Sequence, residues 1–176
     1  MHATDTNLNS VVLVNEFDQP IGTAERLQAH QSPGVLHRAV SVCLVSDTGE
    51  VLLQRRALSK YHFSGLWSNS CCTHPRPSET PLESAVRRTR EELGLDVRDL
   101  DHRGFFIYKA FDERSGLTEF ELDHVFVGRL QGRPAPDPSE VMDWRLVESS
   151  RCAMPEFSTD EYTPWMVRVL ELALDA

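Results

Sequence analysis

Apolar residues fall into short runs along most of this chain. Val11 to Asn15, Val40 to Val45 and Val51 to Gln54 are runs of strand length, and Asp47-Thr48-Gly49-Glu50 between the last two reads as a hairpin turn. Further strands are predicted over Gly104–Phe111, Phe120–Leu130 and Met142–Val147. The period changes after Thr80: Leu82, Ala85, Val86, Thr89 and Leu93 recur at helical spacing and are predicted to face inward. Thr80 suits the N-cap of that helix, Pro81 its first position, Glu83 the partner in a capping box, and Gly94 the stop. A last helix is predicted from Pro164, capped by Thr163, with Met166, Val169, Leu170 and Ala173 inward. Strands joined by hairpins and mixed with helices specify an α/β fold, a mixed β-sheet sandwiched between helices.

The length, 176 residues, suits one domain, with a core over about 30–175 and a flexible 1–10 segment. The proline-rich stretch from Gly132 to Ser139 is a loop, too short to separate domains. A net charge of -9 excludes a general nucleic-acid binder. An anionic substrate must then be drawn in by a local basic pocket or by metal ions. No stretch has the length and apolarity of a membrane span, and Met1 to Ser10 lacks the regions of a signal peptide, so the expected location is cytoplasmic. Cys43, Cys71, Cys72 and Cys152 include no C-x-x-C pair and are expected to be reduced. A monomer is the expected state.

The run from Glu79 to Leu95 (ETPLESAVRRTREELGL) resembles the Nudix box, with Glu79, Arg87, Glu91, Glu92, Gly94 and Leu95 at matching positions. Such a helix gathers carboxylates to hold hard divalent cations against a diphosphate. Two positions depart: Thr73 stands where the box has glycine, and Arg88 where it has the first glutamate of an Arg-Glu pair. Arg88 and Glu92 share one helix edge, so a plain surface salt bridge is the alternative reading. A cation at that position weakens metal-assisted water attack and suits the holding of a diphosphate.

Ahead of the helix, Trp67-Ser68-Asn69-Ser70-Cys71-Cys72-Thr73-His74-Pro75 resembles the active-site segment of type I isopentenyl-diphosphate isomerases. A single cysteine usually packs as a small hydrophobe. The resemblance instead implies that Cys72 is the catalytic thiol and Cys71 a packing residue. In Glu119-Phe120-Glu121-Leu122-Asp123, strand alternation turns Glu119 and Glu121 to one face. Their mutual repulsion is relieved by solvent or by a metal ion. The same resemblance implies a metal site of His30, His37, His74, Glu119 and Glu121, suited to Mn2+, Zn2+ or Mg2+. It implies a further Mg2+ between Glu92 and the substrate diphosphate, and assigns Arg26, Arg56, Lys60 and Arg88 to that diphosphate. Tyr162-Thr163-Pro164-Trp165-Met166 resembles the family's C-terminal motif, giving Trp165 the task of stabilising a carbocation through its π face. Tyr108 matches a tyrosine that assists proton delivery.

The implied activity is interconversion of isopentenyl and dimethylallyl diphosphate, with Cys72 and Glu121 as the proton-transfer pair. Water would trap a tertiary cation, so the segment bearing His30 and His37 is expected to act as a lid. The alternative is a Nudix hydrolase of nucleoside diphosphate derivatives, which keeps the helix but does not need Cys72, Trp165 or the histidines. A non-catalytic diphosphate sensor and a zinc-linked redox protein using Cys71 and Cys72 are more distant readings.

Overall fold

A computed structural model describes residues 9–151 and 160–174. The expectations for Cys152 and for residues 1–8 fall outside the described residues. In chain order the elements are β1 (Ser10–Val14), β2 (Pro20–Glu25), α1 (Arg26–His30), β3 (His37–Val45), β4 (Glu50–Arg56), β5 (Trp67–Ser68) and β6 (Cys71–Thr73). Then follow α2 (Pro81–Leu93), β7 (Asp101–Asp112), β8 (Leu117–Arg129), β9 (Val141–Glu148) and α3 (Met166–Leu174).

All of the described strands join one mixed sheet. β3 is its hub: it runs parallel to β8 from His37 opposite Glu121 to Val45 opposite Arg129. It also pairs antiparallel with β6, where Ser41 lies opposite Cys72. β7 extends the sheet beyond β8, and β4 carries β5 and β9. Alternation along β3 divides the core. Cys43 packs with Met166, Val169, Leu170 and Ala173 of α3, whereas Val40, Val42 and Leu44 pack with Ala85 and Leu93 of α2. Helices thus cover both faces. Each fully buried aliphatic side chain, Leu44, Leu52 and Leu170 among them, stabilises the fold by about 1.5–3 kcal/mol before entropy is set against it.

α2 has the predicted bounds and caps. Thr80 Oγ1 accepts from Glu83 N–H (3.2 Å), and Glu83 Oε2 accepts from Thr80 N–H (2.8 Å). Gly94 takes a left-handed φ of 66° and lies so close to Ala135 that an added Cβ would sit 2.8 Å from its carbonyl oxygen. The inward stripe needs correction: Leu82 and Val86 are 45% and 36% exposed, and the buried positions are Ser84, Ala85, Thr89, Glu92 and Leu93. The loop after β8 binds the C-terminal end of the helix, with Ala135 N–H donating to Leu93 O (2.8 Å) and Asp137 N–H to Glu92 O (3.0 Å). That end buries a carboxylate, so apolarity alone misjudges the packed face.

The last helix buries the four predicted residues but starts at Met166, two positions later than expected. Thr163 does not cap it with its side chain, whose hydroxyl is 3.0 Å from Ser68 Oγ. β2, α1, β5 and β6 escape the sequence pattern. β2 is largely exposed on both faces, and the other three are too short to show a period.

Candidate active site

Three carboxylates alternate along β8 on one face of the sheet. Glu119, Glu121 and Asp123 are each at least nine-tenths buried. Burial and mutual repulsion both oppose charging all three. Burial and the Glu121 charge push Asp123 well above the usual carboxylate range, and Ser41 Oγ donates to its Oδ2 at 2.8 Å. Glu119 and Glu121 go the other way. Burial would raise them, but histidines hold both below their ordinary range: His62 and His30 at Glu119, His37 and His74 at Glu121.

The histidines come from separate elements. His30 ends α1, His37 opens β3 directly opposite Glu121, and His74 follows β6. His30 Nδ1 donates to Arg26 O and His37 Nδ1 to Val35 O, both at 2.7 Å, which turns the two Nε2 atoms inward. Each Nε2 is buried without a hydrogen-bond partner. His30 Nε2 lies 2.9 Å from Glu119 Oε2, His37 Nε2 3.5 Å from Glu121 Oε1, and His74 Nε2 2.6 Å from that same oxygen. One ligand atom from each of His30, His37, His74, Glu119 and Glu121 falls within 4.8 Å of all the others. Imidazole nitrogens fixed by backbone carbonyls and aimed at two carboxylates are a donor set that fits a divalent cation. Without such an ion, protons supply the positive charge: burial lowers His30, but Glu119 and Glu121 lift it to about 9. Burial instead holds His74 down, to about 4.

Adjacent to this cluster is a cavity of about 460 Å3. Cys72, Tyr108, Glu121 and Trp165 all line it, as do Arg26, Arg56, Lys60 and Arg88. The fold therefore brings together the catalytic and diphosphate-binding candidates, which the sequence scatters from residue 26 to residue 165. A larger cavity of about 650 Å3, between Phe111 and Pro164, contains none of these eight.

β6 turns its two cysteines apart. Cys71 is fully buried in the α2 side of the core, 3.5 Å from Glu92 Oε2, and burial raises its thiol well above the ordinary range. Cys72 is partly exposed to the cavity, and its thiol donates to Asn69 Oδ1 at 3.1 Å. The Asn69 amide nitrogen donates to Val42 O (3.2 Å) and Cys71 O (3.0 Å), so the oxygen must face the sulfur. Burial and the Asp123 charge push Cys72 up to about 11, against the pull of Ser41, Arg56 and Ser68. Alkylation of Cys72 by iodoacetamide should therefore be slow at neutral pH and rise about tenfold per pH unit toward 11. Peptide mapping of the labelled protein checks this; a plateau reached by about pH 8 would contradict it.

In the same cavity, Tyr108 O–H donates to Glu121 Oε2 at 2.5 Å. Burial and the Glu121 charge raise Tyr108 well above the ordinary phenol range, so it rests as a donor. Trp165 is 3% exposed, edge-on to Phe63, with the Arg56 guanidinium 5.7 Å from its ring centroid. Arg56 also donates to the carbonyls of His62 (2.9 Å) and Phe63 (3.0 Å), which fixes the turn after β4. Arg88 reaches Glu92 Oε1 at 2.5 Å and Glu140 at 3.2 Å. Lys60 contacts Glu140 and lies 3.6 Å from Glu92.

Sequence reasoning missed three charged or polar groups here. Glu140 stands in a loop with no period, and Asp123 was noted only as part of the run bearing the two glutamates. His62, against Glu119, is a single histidine between aromatic residues. The alternation that exposes Glu119 and Glu121 to one face also places Asp123 there, so that signal was available.

Residues 35–170 match the family model described as NUDIX domain, and the chain belongs to that family. Within it, the chain is 48% identical over 93% of its length to Isopentenyl-diphosphate Delta-isomerase of Streptomyces griseus, covering 83% of that protein. It is 45% identical to the Isopentenyl-diphosphate Delta-isomerase of Halorhodospira halophila, over 93% of this chain and 94% of that one. The group of NUDIX proteins to which the chain belongs is thus the isopentenyl-diphosphate Delta-isomerases. Solved structures agree on the fold. A protein from Deinococcus radiodurans superposes with a TM-score of 0.76 at 19% identity, over 94% of this chain and 99% of that one. A MutT protein from Methanosarcina mazei gives 0.64 at 18%, over 77% and 91%.

Proposed function

We propose that this protein interconverts isopentenyl diphosphate and dimethylallyl diphosphate by paired proton transfer. The observation that carries the reading is that Cys72 and the hydrogen-bonded Tyr108–Glu121 pair line the same cavity as Trp165 and four cationic side chains. Arg26 and Arg56 have no carboxylate ion pair among the described residues, and with Lys60 and Arg88 they bind the diphosphate and orient the hydrocarbon end. One member of the Cys72/Glu121 pair protonates the terminal alkene carbon. The other removes a proton from the carbon on the far side of the tertiary cation, and the roles exchange when the reaction reverses. The Trp165 ring faces the positive charge that develops between these steps. Tyr108 holds the Glu121 carboxylate in place and relays its proton.

His30, His37, His74, Glu119 and Glu121 would hold one divalent ion, Mn2+, Zn2+ or Mg2+, and Glu92 would serve a Mg2+ bound with the diphosphate. Such ions supply positive charge that tunes the acidity of Glu121 and neutralises the diphosphate. Closing the His30–His37 segment over the site excludes water, and both histidines are fully buried.

A direct contrast separates this from hydrolysis. Isopentenyl diphosphate should be converted without free phosphate, and nucleoside diphosphate derivatives should remain uncut under the same conditions. Efficient nucleotide release would instead establish the hydrolase.

A further inference from the structure

His62 lies outside the five-residue donor set, yet it is buried against it. Its Nε2 contacts Glu119 Oε1, the oxygen that does not face His30. Its ring stacks on Tyr61 with centroids 4.5 Å apart and an interplanar angle of 17°, and meets the His30 ring at 5.1 Å. The backbone behind it is pinned, because Arg56 donates to the carbonyl oxygens of both His62 and Phe63. Only 7% of the residue is exposed, and Nδ1 is buried without a hydrogen-bond partner.

We infer that His62 is a positioning residue for the metal site: it donates from Nε2 to Glu119 Oε1 and so reserves Oε2 for the ion. The inference rests on the metal reading of His30, His37, His74, Glu119 and Glu121. Three facts support it together. Glu119 is the carboxylate with two different histidines on its two oxygens, so one oxygen is already taken. A carboxylate held by an outer hydrogen bond keeps its ligating oxygen in one place, and such outer partners are typically worth about 10–100-fold in metal affinity. Nε2 faces a carboxylate oxygen and is therefore the donating nitrogen, opposite to His30 and His37, whose Nδ1 atoms donate to backbone carbonyls.

The test compares the whole native protein with His62→Phe, which keeps a stacking ring without a donor, and His62→Gln, which returns an N–H. Co2+ affinity is read by competition with a chelator, and the Co2+ visible spectrum reports the ligand field. His62→Phe should weaken Co2+ by about 10–100-fold and shift the spectrum, while His62→Gln should stay within about threefold of native. Native affinity in His62→Phe, or equal losses in both variants, would overturn the positioning role while leaving the metal site intact. Failure of the native protein itself to bind Co2+ would overturn the metal reading and this inference with it. Should His62→Phe not fold, the native protein answers alone. Long-range 1H–15N correlation of the Zn2+-loaded chain should find His62 protonated at Nε2 and not ligated, and a metal-bound His62 nitrogen would refute the proposal.

Discussion

Cys72→Ala should lower kcat for isomerisation by about 10²–10⁴-fold while leaving binding of the diphosphate nearly unchanged. The reason lies in which groups reach the cavity. Behind Cys72 stand Ser41, Ser68 and Asn69, within 3.1–3.7 Å of the sulfur, and none of them titrates near neutrality. Asp123 sits behind Ser41 and is not among the cavity-lining residues, so none of the groups behind the thiol takes its place. The cations proposed to hold the diphosphate are separate side chains, so KM should move little. The fold should also survive. The side chain is only partly buried, and a loss of about 1 kcal/mol lowers Tm by about 2–4 °C in a chain of this size. Steady-state kinetics with thermal unfolding checks both halves. A rise in KM with unchanged kcat would assign Cys72 to binding instead.

Removing divalent metal should abolish turnover and lower thermal stability together. An ion present at about 100 times its dissociation constant stabilises the folded state by about 2.7 kcal/mol. At about 2–4 °C per kcal/mol, Tm should fall by about 5–11 °C on chelation. The stripped protein should also acquire a distinct pH dependence. His30 has a folded value of about 9, above its ordinary 6.5, so the stability from its protonation is complete below 6.5 and is lost as pH rises through 9. His74 is depressed to about 4, so its neutral form contributes above 6.5 and that contribution is lost as pH falls toward 4. The sum of these two histidine contributions should therefore peak near pH 6–7 in the metal-free chain. The loaded chain should hold its Tm further into the alkaline range, because an ion replaces the His30 proton. Differential scanning calorimetry of both forms from pH 5 to 9.5 measures this; identical profiles would argue against the ion.

The parts of this fold that were legible in the sequence are those whose cause is local. Thr80, Glu83 and Gly94 define both ends of α2 through contacts within a few residues, and the Met166–Ala173 period identifies the buried face of α3. Strand alternation likewise brings Glu119 and Glu121 to one face without any tertiary information. The histidines were different. Nothing in their spacing foretells that β3 runs parallel to β8 with His37 opposite Glu121, because that register joins residues 84 positions apart. They entered through resemblance to a family, and the fold then brings their nitrogens to the carboxylates. His62 and Glu140 were illegible for the same physical reason. Each matters through a partner distant in sequence, Glu119 for one and Arg88 with Lys60 for the other. Leu82 and Val86 keep the helical period yet stay exposed, because a period marks a helix face and not what packs against it.

The central claim is proton transfer without cleavage of the diphosphate. The most direct test is to incubate the protein with isopentenyl diphosphate and Mg2+ in deuterated water, following the proton spectrum and free phosphate in the same tube. Growth of the dimethylallyl methyl signals, with deuterium incorporated and no phosphate released, is the predicted result. Unchanged substrate, or phosphate appearing in its place, would contradict it.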